Sequence, residues 1–358
     1  MSVFEKARIL SSAGGFDSCG PKMCEVNINQ GLGGIYHAKA ENKDCRIFKT
    51  LMSNACAYDC KYCQNAAGVD KRPVAYEPEE LSNIFMHLNK NLSVDGLFLS
   101  SGVTKDADSS TERMLEAVRL IRQKHGFKGY IHFKVLPGTS YELVKQASEL
   151  SNRMSINIEA PNKEALSCLS TNKDYKKDIL KRQAWVSRLN LSSGQTTQMI
   201  LNNLSTDKDV LKMVRWEYDN LDMKRIYFSS FSPIKGTPLE NEKPESDVRQ
   251  NRLYNVDFLF RQYGFKPKEI ESIMTDEMLP RTDPKLALAI QNNLKVDVDG
   301  ATYEDLIRVP GIGPVTARKI LETNISKYEH LNCLGANIEK AKPFIELNGQ
   351  RQKMILEY

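Results

Sequence analysis

Six short apolar segments between residues 45 and 233 alternate with helix-like segments, and this alternation constrains the fold more than any other feature. The apolar segments are CRIFKTLM (45–52), DGLFLSSG (95–102), GYIHFKVLP (129–137), RMSINIEAP (153–161), TTQMILNN (196–203) and KRIYFSSFSP (224–233). Amphipathic stretches such as LSNIFMHLNK (81–90) and TERMLEAVRLIRQKHG (111–126) lie between them. Strands that alternate with helices in this way form a mostly parallel sheet with helices outside it.

Six such units predict an α/β fold, a partial (β/α)6 TIM-like barrel. An open doubly wound sheet is the alternative, because the order of the strands in the sheet cannot be read from one sequence. In a barrel, polar residues at the carboxyl ends of the strands surround one mouth, where barrel enzymes hold their chemistry. The residues in question are Ser100, Ser101, Glu159, Asn202 and Ser232.

The loop after the first predicted strand carries three cysteines, Cys56, Cys60 and Cys63, in a C-x3-C-x2-C arrangement. Six of the eight cysteines lie within the first 63 residues, which indicates a metal or cluster site near the N-terminus. The first residues, MSVFEKARIL, are too charged for a secretory signal, and no stretch approaches the roughly 18–20 apolar residues of a membrane helix. We therefore expect a cytoplasmic protein with reduced thiols and no membrane partner.

Three closely spaced thiolates can bind zinc or an iron–sulfur cluster. Structural zinc normally has four protein ligands, and the sequence offers no second cysteine or histidine pair downstream. A cluster held by three cysteines keeps one iron open for substrate or cofactor. The cluster is therefore favoured, with structural zinc and unligated core thiols as alternatives.

The octapeptide CAYDCKYC, in which Tyr62 directly precedes the last cysteine, resembles the signature of the radical S-adenosylmethionine (SAM) enzymes. The resemblance implies that the three cysteines hold a [4Fe–4S] cluster whose fourth iron binds SAM. One electron, from a donor such as flavodoxin or ferredoxin, would then release a 5′-deoxyadenosyl radical that abstracts a substrate hydrogen. It also implies the barrel fold.

The same resemblance suggests further cofactor contacts at the barrel mouth. FLSSG (98–102) is similar to the motif that binds the methionine amino group, although serines replace the usual Gly-Gly-Glu, and an ordinary strand-to-loop turn is the alternative. Two polar residues of the 153–161 segment alternate with isoleucines and so share one face. SSFSPIKGTPL (229–239) resembles the loop used around the adenine. The expected cofactor-binding residues are Tyr62, Ser100, Ser101, Gly102, Asn157, Glu159, Gln198 and Ser232.

Cys19, Cys24 and Cys45 form a second, more scattered cysteine group. They could hold an auxiliary iron–sulfur cluster or a metal, as additional cysteines do in parts of the radical SAM family. Unligated thiols packed beneath the barrel are an equally good interpretation. The sequence leaves the two open.

The tail contains ATYEDLIRVPGIGPVTARKILE (301–322), in which two short helices flank Gly-Ile-Gly. Thr302 and Asp305 suit the start of the first helix, and Pro314 suits the start of the second. Backbone N–H groups at such a junction can bind a phosphate. VPGIGPVTARKI closely resembles the helix–hairpin–helix motif of DNA repair and recombination proteins, which implies nucleic-acid contacts from Gly311, Ile312, Gly313, Val315, Thr316, Arg318 and Lys319.

Charge gives weaker guidance about a nucleic-acid partner. The net charge of +5 is modest for 358 residues, and residues 301–358 contain eight basic and seven acidic residues. Residues 173–188 contain six basic and two acidic residues, and a solvated helix face is the favoured interpretation of that stretch. A protein-docking role for the hairpin therefore remains open.

These features predict four regions: a cysteine-containing extension (1–45), the radical SAM barrel (46–240), a helical connection (241–300) and a small all-α helix–hairpin–helix domain (301–358). The combination resembles a group described as DNA modification or repair radical SAM proteins. That resemblance implies an enzyme that modifies or repairs nucleic acid, with DNA favoured over RNA, on a flipped or single-stranded base. The alternatives are a radical SAM enzyme for a small molecule or protein, and a non-catalytic DNA-binding iron–sulfur protein.

Overall fold

The computed structural model describes residues 1–15, 34–40, 43–92 and 94–347. The chain divides into two compact units. The first comprises Met1–Ser205 and Lys212–Ser246, and the second comprises Thr206–Leu211 and the chain from Asp247 onward. Cys19 and Cys24 lie outside the described residues, so the second cysteine group stays a prediction. The proposed boundaries of the four regions likewise remain a prediction.

A seven-stranded sheet forms the centre of the first unit. Its strands are β1 (Ile35–Ala40), β2 (Lys43–Leu51), β3 (Gly96–Ser100), β4 (Tyr130–Lys134), β5 (Arg153–Ser155), β6 (Gln195–Leu201) and β7 (Met223–Ser230). β1 pairs antiparallel with β2, and each strand from β2 to β7 pairs in parallel with the next one in the chain.

This strand order confirms the six predicted parallel strands and the partial barrel. A doubly wound sheet reverses its strand order at a switch point, and here the order never reverses, so that alternative is wrong. β1 was not predicted. Every residue of β3 and β6 is buried, as expected for parallel strands that are covered on both faces.

Helices connect the strands. Those up to β7 are α1 (Val3–Ala13), α2 (Pro78–Leu92), α3 (Ala107–Arg119), α4 (Tyr141–Leu150), α5 (Lys163–Leu169), α6 (Lys181–Val186) and α7 (Asp207–Leu221). π-Helical turns extend α3 at Leu120–Lys124 and precede α6 at Tyr175–Leu180. Asp106 and Asn162 start α3 and α5 by accepting hydrogen bonds from backbone N–H groups of the first turn, which would otherwise lack partners.

One predicted strand is shorter than expected. The segment 153–161 forms a regular strand only over Arg153–Ser155, and further on Glu159 makes an isolated bridge to Met199. Glu159 has a φ of 64°, in the left-handed region that an extended strand does not visit. Asn157 and Glu159 are therefore held by an irregular turn at the end of the strand rather than by strand alternation.

The second unit is mainly helical. It contains α8 (Asp247–Tyr263), α9 (Pro267–Glu271), α10 (Pro284–Gln291), α11 (Tyr303–Arg308), α12 (Pro314–Leu321), α13 (Tyr328–Cys333), α14 (Ile338–Ala341) and a 3-10 turn at Lys342–Phe344. Its core gathers the apolar residues of the hairpin, including Val309, Ile312 and Ala317, around Leu331 and Phe344. None of the described helices is both long and apolar enough to cross a membrane.

Two details of the tail concern its predicted helix starts and its predicted all-α structure. Thr302 and Asp305 form the expected capping box at α11, and Pro314 occupies the first turn of α12. A parallel pair of two-residue strands, β8 (Val296–Asp297) and β9 (Ile345–Glu346), was not part of the predicted all-α tail. Strands of two residues carry too little periodicity for the sequence to signal them.

Candidate active site

The three cysteines of the 56–63 loop lie just beyond the carboxyl end of β2, at the mouth of the sheet. The loop is tied to its neighbours by backbone hydrogen bonds: the N–H of Ala57 donates to the Val103 carbonyl (2.6 Å), and the N–H of Lys61 donates to the Leu169 carbonyl (2.9 Å). Within the loop the N–H of Cys63 donates to the Cys60 carbonyl (2.9 Å). The path of the chain is thus fixed on both sides of Cys60.

The side chain of Asp59 attaches this loop to the end of α5. Its carboxylate accepts hydrogen bonds from the Ser170 hydroxyl (2.6 Å) and the Thr171 N–H (2.9 Å). Its own N–H donates to Oδ1 of Asn172 (2.8 Å). Burial alone would raise the pKa of Asp59, but the hydrogen bonds from Ser170 and Thr171 outweigh it and lower the pKa well below the ordinary range. The carboxylate is therefore ionised at any physiological pH.

Gly102 lets the loop after β3 pass directly beneath the cysteine loop. A Cβ atom at this position would lie 2.2 Å from the Ala55 carbonyl oxygen and 3.1 Å from Cβ of Cys56. The N–H of Gly102 donates to the Ser53 carbonyl (2.7 Å). No side chain fits here, so the glycine of FLSSG has a packing role beyond that of an ordinary turn.

An open cavity of about 190 Å³ lies at the mouth of the sheet. The predicted residues that line it are Cys56, Cys60, Tyr62, Cys63, Ser100, Gly102, Asn157, Glu159, Gln198 and Ser232. Ser101 does not line the cavity, and its hydroxyl donates to the carbonyl of Gly102 (2.7 Å). Asn202 is also outside the lining, and its Oδ1 accepts from the N–H of Leu204 (2.9 Å). The structure thus brings together residues from five separate parts of the sequence.

Lys173 is the main lining residue that the sequence did not reveal. Its ammonium lies 3.1 Å from Oε1 of Glu159 and 3.4 Å from the Tyr62 hydroxyl, and both members of the ion pair are less than one-tenth exposed. Lys173 begins the basic stretch 173–188, in which nothing distinguishes one lysine from another. Lys173 reaches the cavity because it directly follows residues 170–172, which are hydrogen-bonded to Asp59.

The ammonium of Lys173 interacts electrostatically with both Glu159 and Cys60 in the cavity. Burial would lower the pKa of Lys173, but Cys60 and Glu159 raise it above its usual value, so the ammonium stays charged. Burial raises the pKa of the Cys63 thiol to about 12, partly offset by the N–H of Asn65, which donates to its sulfur (3.4 Å). A thiolate at such a position requires a cationic ligand, which an iron–sulfur cluster provides.

The donor set fits a cluster better than a single zinc ion. In the described ranges, no group of three or more histidine, cysteine, aspartate or glutamate side chains is arranged to hold one metal ion. Structural zinc needs four such donors converging on one atom. A cluster distributes its thiolates over separate iron atoms and tolerates three protein ligands with an open fourth position. Cys56, Cys60 and Cys63 supply three thiols in one loop, and their binding of a cluster stays a prediction.

Cys45, the described member of the second cysteine group, lies half-buried on β2. Burial, followed by the charge of Asp95, raises the pKa of its thiol. The auxiliary site stays a prediction.

The predicted contact residues of the hairpin between α11 and α12 fall into a buried set and an exposed set. Ile312 is 1% exposed and belongs to the core, and the buried Thr316 donates its hydroxyl to the Gly335 carbonyl (3.3 Å). Val315 is 63% exposed, and Arg318 and Lys319 are also exposed. The surface of the hairpin available to a ligand therefore consists of the latter three side chains and the α12 N-terminus.

The two glycines of this hairpin have different roles. Gly311 has a φ of 85°, and an added Cβ would lie 2.4 Å from the Asn337 carbonyl oxygen. Gly313 precedes the first turn of α12 in an extended conformation, and an added Cβ would meet only the Tyr263 hydroxyl at 3.4 Å. Gly311 is thus required for packing, whereas Gly313 leaves the helix N-terminus uncovered.

Comparisons with known proteins agree with this architecture. Residues 50–216 match the model of the radical SAM superfamily, and residues 301–323 match the helix-hairpin-helix motif. A search among curated proteins finds no match. Among solved structures, methylornithine synthase (PylB) is 15% identical with a TM-score of 0.50 and covers 60% of this chain. HydG, a maturase of the [FeFe]-hydrogenase, is 12% identical with a TM-score of 0.50 and the same coverage.

The matched region is less than two thirds of either solved chain: 62% of methylornithine synthase and 49% of HydG. At these identities the likeness shows a shared fold and nothing about substrate. The sequence match over 50–216 contains all three cysteines of the loop.

Proposed function

We propose that this chain, which contains a radical SAM domain and a helix–hairpin–helix motif, is a radical SAM enzyme that modifies or repairs nucleic acid, with DNA favoured over RNA. The observation that carries the proposal is the hairpin, whose sequence matches the motif and whose second helix, α12, has an uncovered N-terminus at Gly313 and exposes Arg318 and Lys319 in its last turn. Both features suit the sugar–phosphate backbone.

Cys56, Cys60 and Cys63 are the residues that would hold the [4Fe–4S] cluster, and the fourth position would be left to SAM. When bound, this pair supplies a 5′-deoxyadenosyl radical, the hydrogen-abstracting species of the superfamily. The electron would come from a carrier such as flavodoxin or ferredoxin.

The polar lining of the cavity supports binding of SAM beside the cysteines. Asn157, Gln198 and Ser232 can hydrogen-bond to the ribose or the methionine carboxylate. Lys173 and Glu159 neutralise one another and keep their side chains fixed in a buried position. Val135, Leu136 and Pro137 complete the wall with apolar surface that limits access of water to the reacting centre.

The direct test of catalysis is anaerobic reconstitution of the full chain, followed by dithionite and SAM, with and without a DNA oligonucleotide. We expect 5′-deoxyadenosine in both reactions and faster formation with DNA. Cys60→Ala should abolish product and lower the bound iron, whereas Cys168→Ala, at an exposed cysteine, should change neither. A fully loaded cluster that yields no 5′-deoxyadenosine would contradict the assignment.

The nucleic-acid partner is tested by binding at several salt concentrations. The charge reversals Arg318→Glu and Lys319→Glu together should weaken binding to DNA and reduce the slope of log K against log salt by about two. The matched control reverses Lys268 and Lys327, two exposed lysines of the same unit. Equal binding by both double variants would remove the hairpin from nucleic-acid recognition.

Mass spectrometry of nucleosides from cells with and without the gene would then identify the modified base. A nucleoside whose abundance depends on Cys60 is the expected result.

One alternative retains an observation in its favour. The tail is nearly neutral, with eight basic and seven acidic residues over 301–358, which suits a protein-docking hairpin in a radical SAM enzyme for a small molecule or protein. Unchanged nucleosides together with loss of a protein complex in the Arg318→Glu variant would favour it. The match to a superfamily of enzymes favours catalysis over the non-catalytic alternative.

A further inference from the structure

A surface at the mouth of the barrel combines aromatic rings with three cations, of which two have no carboxylate partner among the described residues. It consists of Tyr141 at the start of α4 and of Lys177, Lys181, Arg182 and Trp185 on the helix that runs through Tyr175–Val186; we call these five residues the rim patch. Lys177, Lys181 and Trp185 follow one another at intervals of four residues and so lie along one side of that helix. None of the five residues lines the cavity.

The rings and cations of the rim patch are in direct contact. The centroids of Tyr141 and Trp185 lie 5.4 Å apart in an edge-on arrangement. The ammonium of Lys181 lies 5.2 Å, and the guanidinium carbon of Arg182 4.9 Å, from the centroid of Trp185. Tyr141 is 42% exposed, and Lys177 and Lys181 are exposed. Aromatic and cationic groups are therefore presented together to solvent.

The nearby carboxylates are occupied elsewhere. Asp174 caps the helix by accepting the N–H groups of Lys176 (3.0 Å) and Lys177 (2.7 Å). Asp178 accepts the N–H of Asp174 (2.8 Å) and lies 3.8 Å from the guanidinium of Arg182. Within the described residues no carboxylate lies within ion-pairing distance of the ammonium of Lys177 or Lys181, so these two charges remain available to a ligand.

The rim patch is joined to the cavity wall. Arg182 donates to the carbonyls of Gly138 (2.6 Å) and Thr139 (2.7 Å), in the loop that follows β4. The preceding residue, Pro137, lines the cavity, and its carbonyl accepts from the Tyr58 hydroxyl (2.9 Å). The helix itself starts two residues after Lys173, which also lines the cavity. A ligand on the rim patch would therefore lie beside the entrance to the site.

We infer that the rim patch binds single-stranded nucleic acid next to the reacting nucleotide. Phosphates would pair with Lys177 and Lys181, and a base would stack on Tyr141. A single strand is favoured because its bases reach a cavity at the mouth of a sheet directly, whereas a duplex base must first be flipped out of the stack. This inference rests on the proposed function and specifies the form of its substrate.

The test measures binding of fluorescein-labelled 12-mer oligonucleotides to the reconstituted holoenzyme by anisotropy under anaerobic conditions. We expect tighter binding of single-stranded than of duplex 12-mers. Lys177→Glu with Lys181→Glu should weaken single-strand binding by tenfold or more and reduce the salt slope by about two. The matched control reverses two exposed lysines elsewhere in the same unit, Lys90 and Lys124. Tyr141→Ala should weaken binding by about tenfold with an unchanged salt slope.

A second readout locates the base directly. Photolysis of the complex with a 5-iodouracil oligonucleotide, followed by peptide mass spectrometry, should give adducts at Tyr141 or Trp185. Adducts confined to other exposed aromatics, such as Trp216, would overturn the inference.

The remaining outcomes separate this inference from the proposed function. Binding that depends on Arg318 and Lys319 but equals wild type in the Lys177→Glu, Lys181→Glu variant overturns the rim patch and leaves the proposed function standing. Equal competition by polyaspartate of the same charge also overturns it, because the surface would then recognise charge alone. No binding of any oligonucleotide by the wild-type holoenzyme overturns both.

Discussion

Glu217 on α7 should make the stability of the barrel unit decline with pH. Its side chain is fully buried, and among the described residues neither carboxylate oxygen has a hydrogen-bond partner. Burial raises the pKa of Glu217 to about 8, although the nearby side chain of Gln183 lowers the pKa by a smaller amount. An isolated buried carboxylate is costly, so the group keeps its proton in the folded chain at neutral pH.

The magnitude follows from the two pKa values. Between the ordinary value of 4.5 and about 8, the unfolded chain has lost this proton while the folded chain retains it. Stability is therefore fully present below pH 4.5 and falls as pH rises toward 8. The total loss is about 5 kcal/mol, at 1.36 kcal/mol per pH unit. Glu217→Gln replaces the acid with a neutral side chain of similar shape and should remove this decline.

The assay is urea unfolding at pH values from 5 to 9, followed by tryptophan fluorescence. Both tryptophans, Trp185 and Trp216, belong to the barrel unit and report on its unfolding. We expect the stability advantage of Glu217→Gln over wild type to grow steadily between pH 5 and 8. Glu149→Gln, at an exposed position of α4, is the control and should follow wild type. Parallel pH profiles for wild type and Glu217→Gln would refute the reasoning.

Three further substitutions test other parts of the structure. Gly102→Ala should displace the cysteine loop and reduce the iron bound per chain after reconstitution, while normal iron loading would contradict the close approach. Gly311→Ala should destabilise the second unit by about 2 kcal/mol or more in urea unfolding, whereas Gly313→Ala should be nearly neutral, so equal effects would argue against the described packing. Asp207→Ala removes a buried carboxylate that lies 2.7 Å from Arg249 and accepts the N–H of Leu279, and it should cost about 3 kcal/mol, measured in the same way.

The parts of the fold that sequence predicted are those with strong local signals. Each of the six parallel strands lies in a short segment with several apolar residues, and each lies next to its sequence neighbour in the sheet. Thr302 and Pro314 mark helix starts because their chemistry satisfies or removes the unpaired N–H groups there. The close spacing of the three cysteines predicted a functional loop, because thiols so close together in a chain are typical of metal and cluster ligands.

The parts that could not be predicted depend on contacts between distant residues. Lys173 lies in the cavity because Asp59 binds the segment before it, and no pattern in the sequence records that contact. Ser101 follows Ser100 and looks equivalent, but the chain turns so that its hydroxyl meets the next carbonyl. The left-handed conformation of Glu159 ends a strand whose alternation continues in the sequence.

The hydrogen bonds of Asp59 have a consequence for how the cysteine loop would receive the proposed cluster. They join the cysteine loop to residues 169–172 through protein groups, so part of the order of the loop comes from contacts within the protein. A zinc finger, by contrast, folds only when its metal arrives. If Cys56, Cys60 and Cys63 hold the proposed cluster, these contacts reduce the share of its binding free energy that is spent on ordering the backbone. The proposed cluster, once lost to oxygen, would then be replaced in a loop that the protein itself helps to hold.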